Sequence, residues 1–104
     1  MQHLSNETLS NYCYALSKQL TAMNSAAVSD ELQGIIQSGC QCLILDGSRV
    51  EEVDIAGLNL LIKVYKWMMA LNGSMVLQLK KNGKLAAMLH LTKYDRWFQL
   101  KYTE

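Results

Sequence analysis

The sequence predicts an α/β fold: a mostly parallel, mixed sheet of four to five strands with about three helices packed against it. Three observations lead there. Short apolar runs alternate with longer segments of helical period. Their order is strand, helix, strand, helix, strand, helix, strand, the order of a layered α/β domain with right-handed crossovers. The 104 residues are half hydrophobic, with no proline, so one domain over 1–104 is the simplest account.

The first segment is ambiguous. Tyr12, Tyr14, Leu16 and Leu20 alternate as in a strand, and Lys18 breaks the pattern. Leu9, Tyr12, Cys13, Leu16 and Leu20 also make a helical stripe, so periodicity leaves both readings open. Residues 25–37 read as a helix, with Val28, Leu32, Ile35 and Ile36 on one face. Asn24 or Ser25 can cap it, and Gly39 can stop it. The run Cys42-Leu43-Ile44-Leu45 suits a strand buried on both faces, ending at Asp46-Gly47.

Residues 55–71 carry the strongest helical pattern. Leu58, Leu61, Ile62, Tyr65, Met68 and Met69 form a wide stripe; Asn59, Lys63 and Lys66 lie opposite. Asn72-Gly73 ends it with residues that tolerate left-handed dihedrals. Residues 74–80 form a strand, Asn82-Gly83 turns the chain, and Leu85, Met88 and Leu89 mark a third helix. The run Trp97–Tyr102 is the last strand.

Several function classes find no support. The formal net charge is +1 and no Lys/Arg cluster exceeds Lys80-Lys81, so no bulk charge attracts nucleic acid. The apolar stretch 55–71 holds Lys63 and Lys66 and is short for a ~20-residue span, so it is not a membrane helix. Cys13, Cys40 and Cys42 are odd in number and match no secreted framework, which suits a reducing, cytoplasmic setting. Cys40-x-Cys42 has no metal-site spacing with His3 or His90. There is no Walker loop, no GxGxxG and no nucleophile elbow. No cofactor, metal or catalytic residue is expected.

The loop Val53-Asp54-Ile55-Ala56-Gly57-Leu58 opens the long helix and lies where strand-to-helix loops gather. Asp54 can cap that helix through an amide of Ala56 or Gly57. As a catalytic acid it would want a second carboxylate or a histidine; Glu51 and Glu52 precede the loop. A small enzyme or nucleotide-binding protein therefore stands only as an alternative of another class.

The stretch from Cys42 to Leu79 resembles the STAS domain, found in anti-sigma factor antagonists and at the cytoplasmic end of sulfate transporters. Asp46-Gly47-Ser48 matches the family's Asp-Leu-Ser, and the loop 53–58 matches its apolar-Asp-Ser-Ser-Gly-Leu. Leu20–Asn24 looks like the junction of strand and first helix, and Leu91–Asp95 with Phe98 like the family's ending. The resemblance covers about residues 12–100. It makes 12–20 a strand, following a short first strand within 2–8.

What the resemblance implies is an interaction domain that docks a protein partner through Asp54, Ile55, Ala56 and Gly57. Thr21, Asn24, Ser48 and Asn82 would form the neighbouring surface. The implied partner is an anti-sigma factor, a histidine-kinase-like ATPase, or another signalling protein. The alternative is a transporter complex, with this chain as the cytoplasmic subunit of an ABC-type lipid or anion system. The departures are informative. The serine or threonine that the family phosphorylates just before the glycine is Ala56 here, and the preceding position is Ile55. Thr21 stands where the family often has an aspartate. A domain so altered should dock but not be switched at that site.

Overall fold

The computed structural model describes residues 11–103. The expected first strand within 2–8 lies outside them. The elements run β1 (Asn11–Ala15), β2 (Gln19–Leu20), α1 (Ser25–Gln37), β3 (Cys42–Asp46), β4 (Glu52–Val53), α2 (Ile55–Ala70), β5 (Ser74–Lys80), α3 (Lys84–Thr92), a 3-10 turn (Tyr94–Trp97) and β6 (Gln99–Thr103). Four strands make one sheet in the order β1-β3-β5-β6, and β2 and β4 make a second, two-stranded sheet. All these pairings are parallel.

Register places Tyr14, Leu45, Leu77 and Leu100 in one row across the main sheet. Leu45 and Leu77 in that row are fully buried, as are Leu43 and Leu79 on the same face. The alternate residues Cys42, Ile44, Val76 and Gln78 are only partly covered. Helices therefore cover one face of the sheet. This corrects the expectation that β3 is buried on both faces: its apolar run is continuous, but only Leu43 and Leu45 meet the core.

The core is one cluster drawn from every layer. It joins Leu32 and Ile36 of α1, Leu58, Leu61, Val64 and Met68 of α2, Leu85 and Leu89 of α3, and the buried strand residues. The stripe of α2 is wider than the sequence suggests. Leu60 and Val64 are buried, while Met69 is 39% exposed. Leu60 lies beside Ser25, Ala26 and Ser29 of α1, so α2 buries one flank against a helix and another against the sheet.

The predicted strand 12–20 is two strands. Leu16 N donates to Asp46 O at 2.9 Å, the last link to the main sheet. The chain then bends through Ser17-Lys18, and Gln19-Leu20 pairs with Glu52-Val53 instead. Lys18 breaks the alternation because the chain changes sheets there. Near the other end, Trp97 ends the 3-10 turn rather than starting β6. Tyr65 of α2 meets Trp97 and Phe98 edge-on, at ring distances of 6.0 and 5.6 Å, and holds this turn against the helix. Tyr14 donates its hydroxyl to Glu31 and ties β1 to α1. Burial first, and then Glu31, push the Tyr14 phenol up to about 12.

Candidate functional site

The loop after β3 is shaped by its own polar groups. One oxygen of Asp46 accepts from Ser48 N at 3.0 Å and from Ser48 Oγ at 2.7 Å, closing a tight turn. Gly47 is pressed into the fold. Its amide donates to Gln78 O at 2.7 Å, and an added Cβ would come within 2.8 Å of Leu85 Cδ2. The amides of Glu51 and Glu52 both donate to Lys18 O, which leads β4 alongside β2.

At the end of β4 the backbone of Asp54 is extended, as an N-cap residue requires. Its Oδ1 accepts from Gly57 N at 3.0 Å, so Asp54 caps α2 as the sequence indicates. Its second oxygen does something the sequence does not announce. Oδ2 accepts from Ala22 N, also at 3.0 Å, in the turn before α1. One carboxylate thus joins the starts of two helices. The amides of Ala22 and then Gly57 hold the Asp54 carboxyl below the usual carboxylate range. An ionised group with both oxygens occupied is a poor proton acceptor. Glu51 and Glu52 are exposed and make no pair with it.

Gly57 is the tightest point. A Cβ there would lie 2.0 Å from the carbonyl oxygen of Leu20, a backbone atom that cannot rotate away. The glycine lets the first turn of α2 touch the end of β2. Leu58 N then donates to Asp54 O, and Asp54 N donates to Leu20 O.

This frame presents a small apolar surface. Ile55, the first residue of α2, is 60% exposed. Ala56, the second, is half-buried in a shallow groove with Ser25, Ala26, Ser29 and Asn59. Met23 is 88% exposed and follows Ala22 directly. Met23 and Ile55 therefore each follow one partner of the Ala22–Asp54 hydrogen bond. A second groove beside Asp54 is lined by Thr21, Val53, Ala87, Met88 and Leu91, the last 78% exposed. Met23 and Leu91 fall within stretches that carry the resemblance, Leu20–Asn24 and Leu91–Asp95, but nothing in the sequence marks them as surface residues of the site.

The expected neighbouring residues divide. Thr21 lies at the loop, lining the groove with Val53 and Asp54. Asn24 is a brace rather than a free surface group. Its Oδ1 accepts from Thr21 N at 3.0 Å and its Nδ2 donates to Gln19 O at 2.8 Å. It sits at the N-cap position of α1 without capping it by its side chain, because that side chain is turned back to the preceding strand. Ser48 and Asn82 line a separate groove at the ends of β3 and β5.

Among the described residues no three His, Cys, Asp or Glu side chains gather as a metal site would need. Cys40 is buried, and burial pushes its thiol up. Cys42 is half-buried and Cys13 exposed. His90 lies near the end of α3, exposed, with Nδ1 3.2 Å from Asp95 Oδ2. None of the described helices is long and apolar enough to cross a membrane.

A family model for the STAS domain matches residues 4–104. Solved structures share the fold. A Thermotoga maritima protein, provisionally described as an anti-sigma factor antagonist, superposes with a TM-score of 0.81 at 22% identity, covering 91% of this chain and 80% of that one. An anti-sigma factor antagonist from Mycobacterium paratuberculosis gives 0.78 at 20% identity, over 91% and 79% of the two chains. The antagonist SpoIIAA in its unphosphorylated form gives 0.70 at 14% identity, over 91% and 82%, and a phosphorylated form of the Bacillus protein is also similar. No curated protein matches by sequence.

Proposed function

The chain belongs to the STAS domain family, and on that premise we propose that it is a non-catalytic, cytoplasmic interaction protein of the anti-sigma factor antagonist kind. It docks a signalling partner, a kinase-like anti-sigma factor or a related regulator, through the loop 53–58. It is not switched at that loop.

One observation carries the proposal. The loop is framed by Asp54, whose oxygens are committed to Gly57 and Ala22, yet Ile55 is 60% exposed, Ala56 is only half-buried, and the exposed Met23 directly follows the Ala22 amide that Asp54 holds. Single exposed apolar residues are ordinary, but several grouped on a fixed loop suit a docking surface. Ala56 is the second residue of α2. A phosphate there would sit at the positive end of a helix dipole and add about two negative charges. That is enough to dismiss a partner matched to an apolar surface. Ala56 has no hydroxyl to accept it, so the surface stays in its docking state.

The test uses the partner and ATP. Incubated together, the wild type should gain no phosphate within 54–57, and Ala56→Ser should gain one at position 56, both read by fragment mass spectrometry. A phosphate on Ser48 or Thr21 of the wild type would contradict the proposal, since the switch would have moved rather than disappeared. A partner that proves to be a permease and ATPase would assign the chain to a transporter instead.

A further inference from the structure

We propose that the groove between the β3–β4 loop and the start of α3 takes an acidic segment of the docking partner, a run of Asp and Glu side chains. The proposal deepens the docking reading and rests on it.

Lys18, Arg49, Lys80 and Lys84 line this groove, against one carboxylate, Glu51. They come from four different segments: the β1–β2 bend, the β3–β4 loop, the end of β5 and the start of α3. The chain has ten Lys and Arg and a net charge of only +1, so this grouping is a local field on a nearly neutral molecule. None of the four lies within ion-pair distance of a carboxylate among the described residues; the one such pair there is His90–Asp95. Helix α3 also begins at the groove, behind Gly83, which contributes no capping side chain. Its dipole adds positive potential.

The backbone under the cations is fixed. Lys18 O accepts from two amides of the opposite segment, Gly47 N donates to Gln78 O, and Lys81 N donates to Thr103 O at 2.8 Å. The side chains are exposed and free to reach outward. That combination favours an extended acidic segment over a caged small ion. No buried side-chain polar atom among the described residues is left unpartnered, as an ion cage would require. The lining holds no aromatic ring on which a nucleic-acid base could stack. Lys84 lines both this groove and the apolar one beside Val53 and Asp54. A partner seated on the loop would therefore have the basic groove at its edge, where charge sets orientation and association rate.

The test needs no partner. The isotope-labelled chain is titrated with an octaglutamate peptide and, separately, with octaglutamine, following backbone amides by NMR. Octaglutamate should shift the amides of residues 18, 48–51 and 80–84, and octaglutamine should not. Its affinity should fall at least ~fivefold between ~50 and ~300 mM salt. Arg49→Glu with Lys80→Glu, both on exposed positions, should abolish the shifts while the circular dichroism stays native. Ala56→Glu should leave them intact, which separates this groove from the docking loop. Equal shifts with octaglutamine, or shifts elsewhere, would overturn the proposal. So would inorganic phosphate or a short RNA binding the same amides more tightly than the peptide.

Discussion

Two residues hold the loop in shape, and they hold it by different physics. Gly57 acts by what it lacks: no side chain fits between α2 and the carbonyl of Leu20. Gly57→Ala should force β2 and the first helical turn apart. The cost should be ~3 kcal/mol or more, the upper end of what overpacking costs, read as a lower midpoint in urea. Asp54 acts by charge and geometry. Its carboxyl is held below the ordinary range by the amides of Ala22 and Gly57, so its folded pKa lies under the unfolded one. Its contribution is then complete above about pH 4 and is lost as pH falls through the depressed value. Asp54→Ala should lower the melting temperature at neutral pH and flatten its dependence on pH below about 4. Asp54→Asn should fall between, because one amide oxygen replaces two carboxylate oxygens while two backbone donors remain. The helix cap was legible in the sequence. The bond to Ala22 was not, since it joins positions far apart in the chain and no local pattern marks it.

At the scale of elements, strong single-period segments were legible and mixed ones were not. The three helices lie where their apolar spacing places them, and β3 and β5 follow their apolar runs. Periodicity leaves the segment 12–20 open between strand and helix because it serves two sheets: Leu16, whose amide is linked to β3, and Leu20 of β2 are both buried and fall at helical spacing. The run 42–45 looked buried on both faces because apolar composition carries no record of which face the helices cover. Met69 of α2 is partly exposed and Val64 fully buried for a similar reason: the turn of the helix about its own axis is a tertiary outcome. Of the site, the position of Asp54 at the start of α2 follows from its local pattern, whereas Asn24's bonds back to Gln19 and Thr21 do not, because an asparagine's choice of partner is a tertiary outcome. The central strand gives a direct test of the layer arrangement. Leu77 is fully buried between neighbours in β3 and β6. Leu77→Ala should cost ~2–5 kcal/mol in denaturant unfolding. Val76→Ala, whose side chain points to the partly covered face, should cost clearly less.

Across the described residues, one core underlies the rim that carries the proposed docking loop. The turn before α1, the β3–β4 loop, the start of α2 and the start of α3 meet at one rim, through the Asp54–Ala22 bond and the residues shared by adjoining grooves. The same rim holds the apolar loop and the basic groove, so a partner can be held by apolar contact and oriented by charge. In the docking role proposed, such a surface would work by staying stable and unmodified, and its chemistry is in keeping: both oxygens of Asp54 are held by backbone amides and Ala56 offers no hydroxyl. The decisive measurement is the affinity of the purified partner for wild type and for Ala56→Glu, taken with the melting temperature of each. The account predicts at least ~tenfold weaker binding for the variant, about 1.4 kcal/mol, with the melting temperature nearly unchanged. Equal affinity for both proteins would contradict it, because the partner would then be docking somewhere other than the loop 53–58.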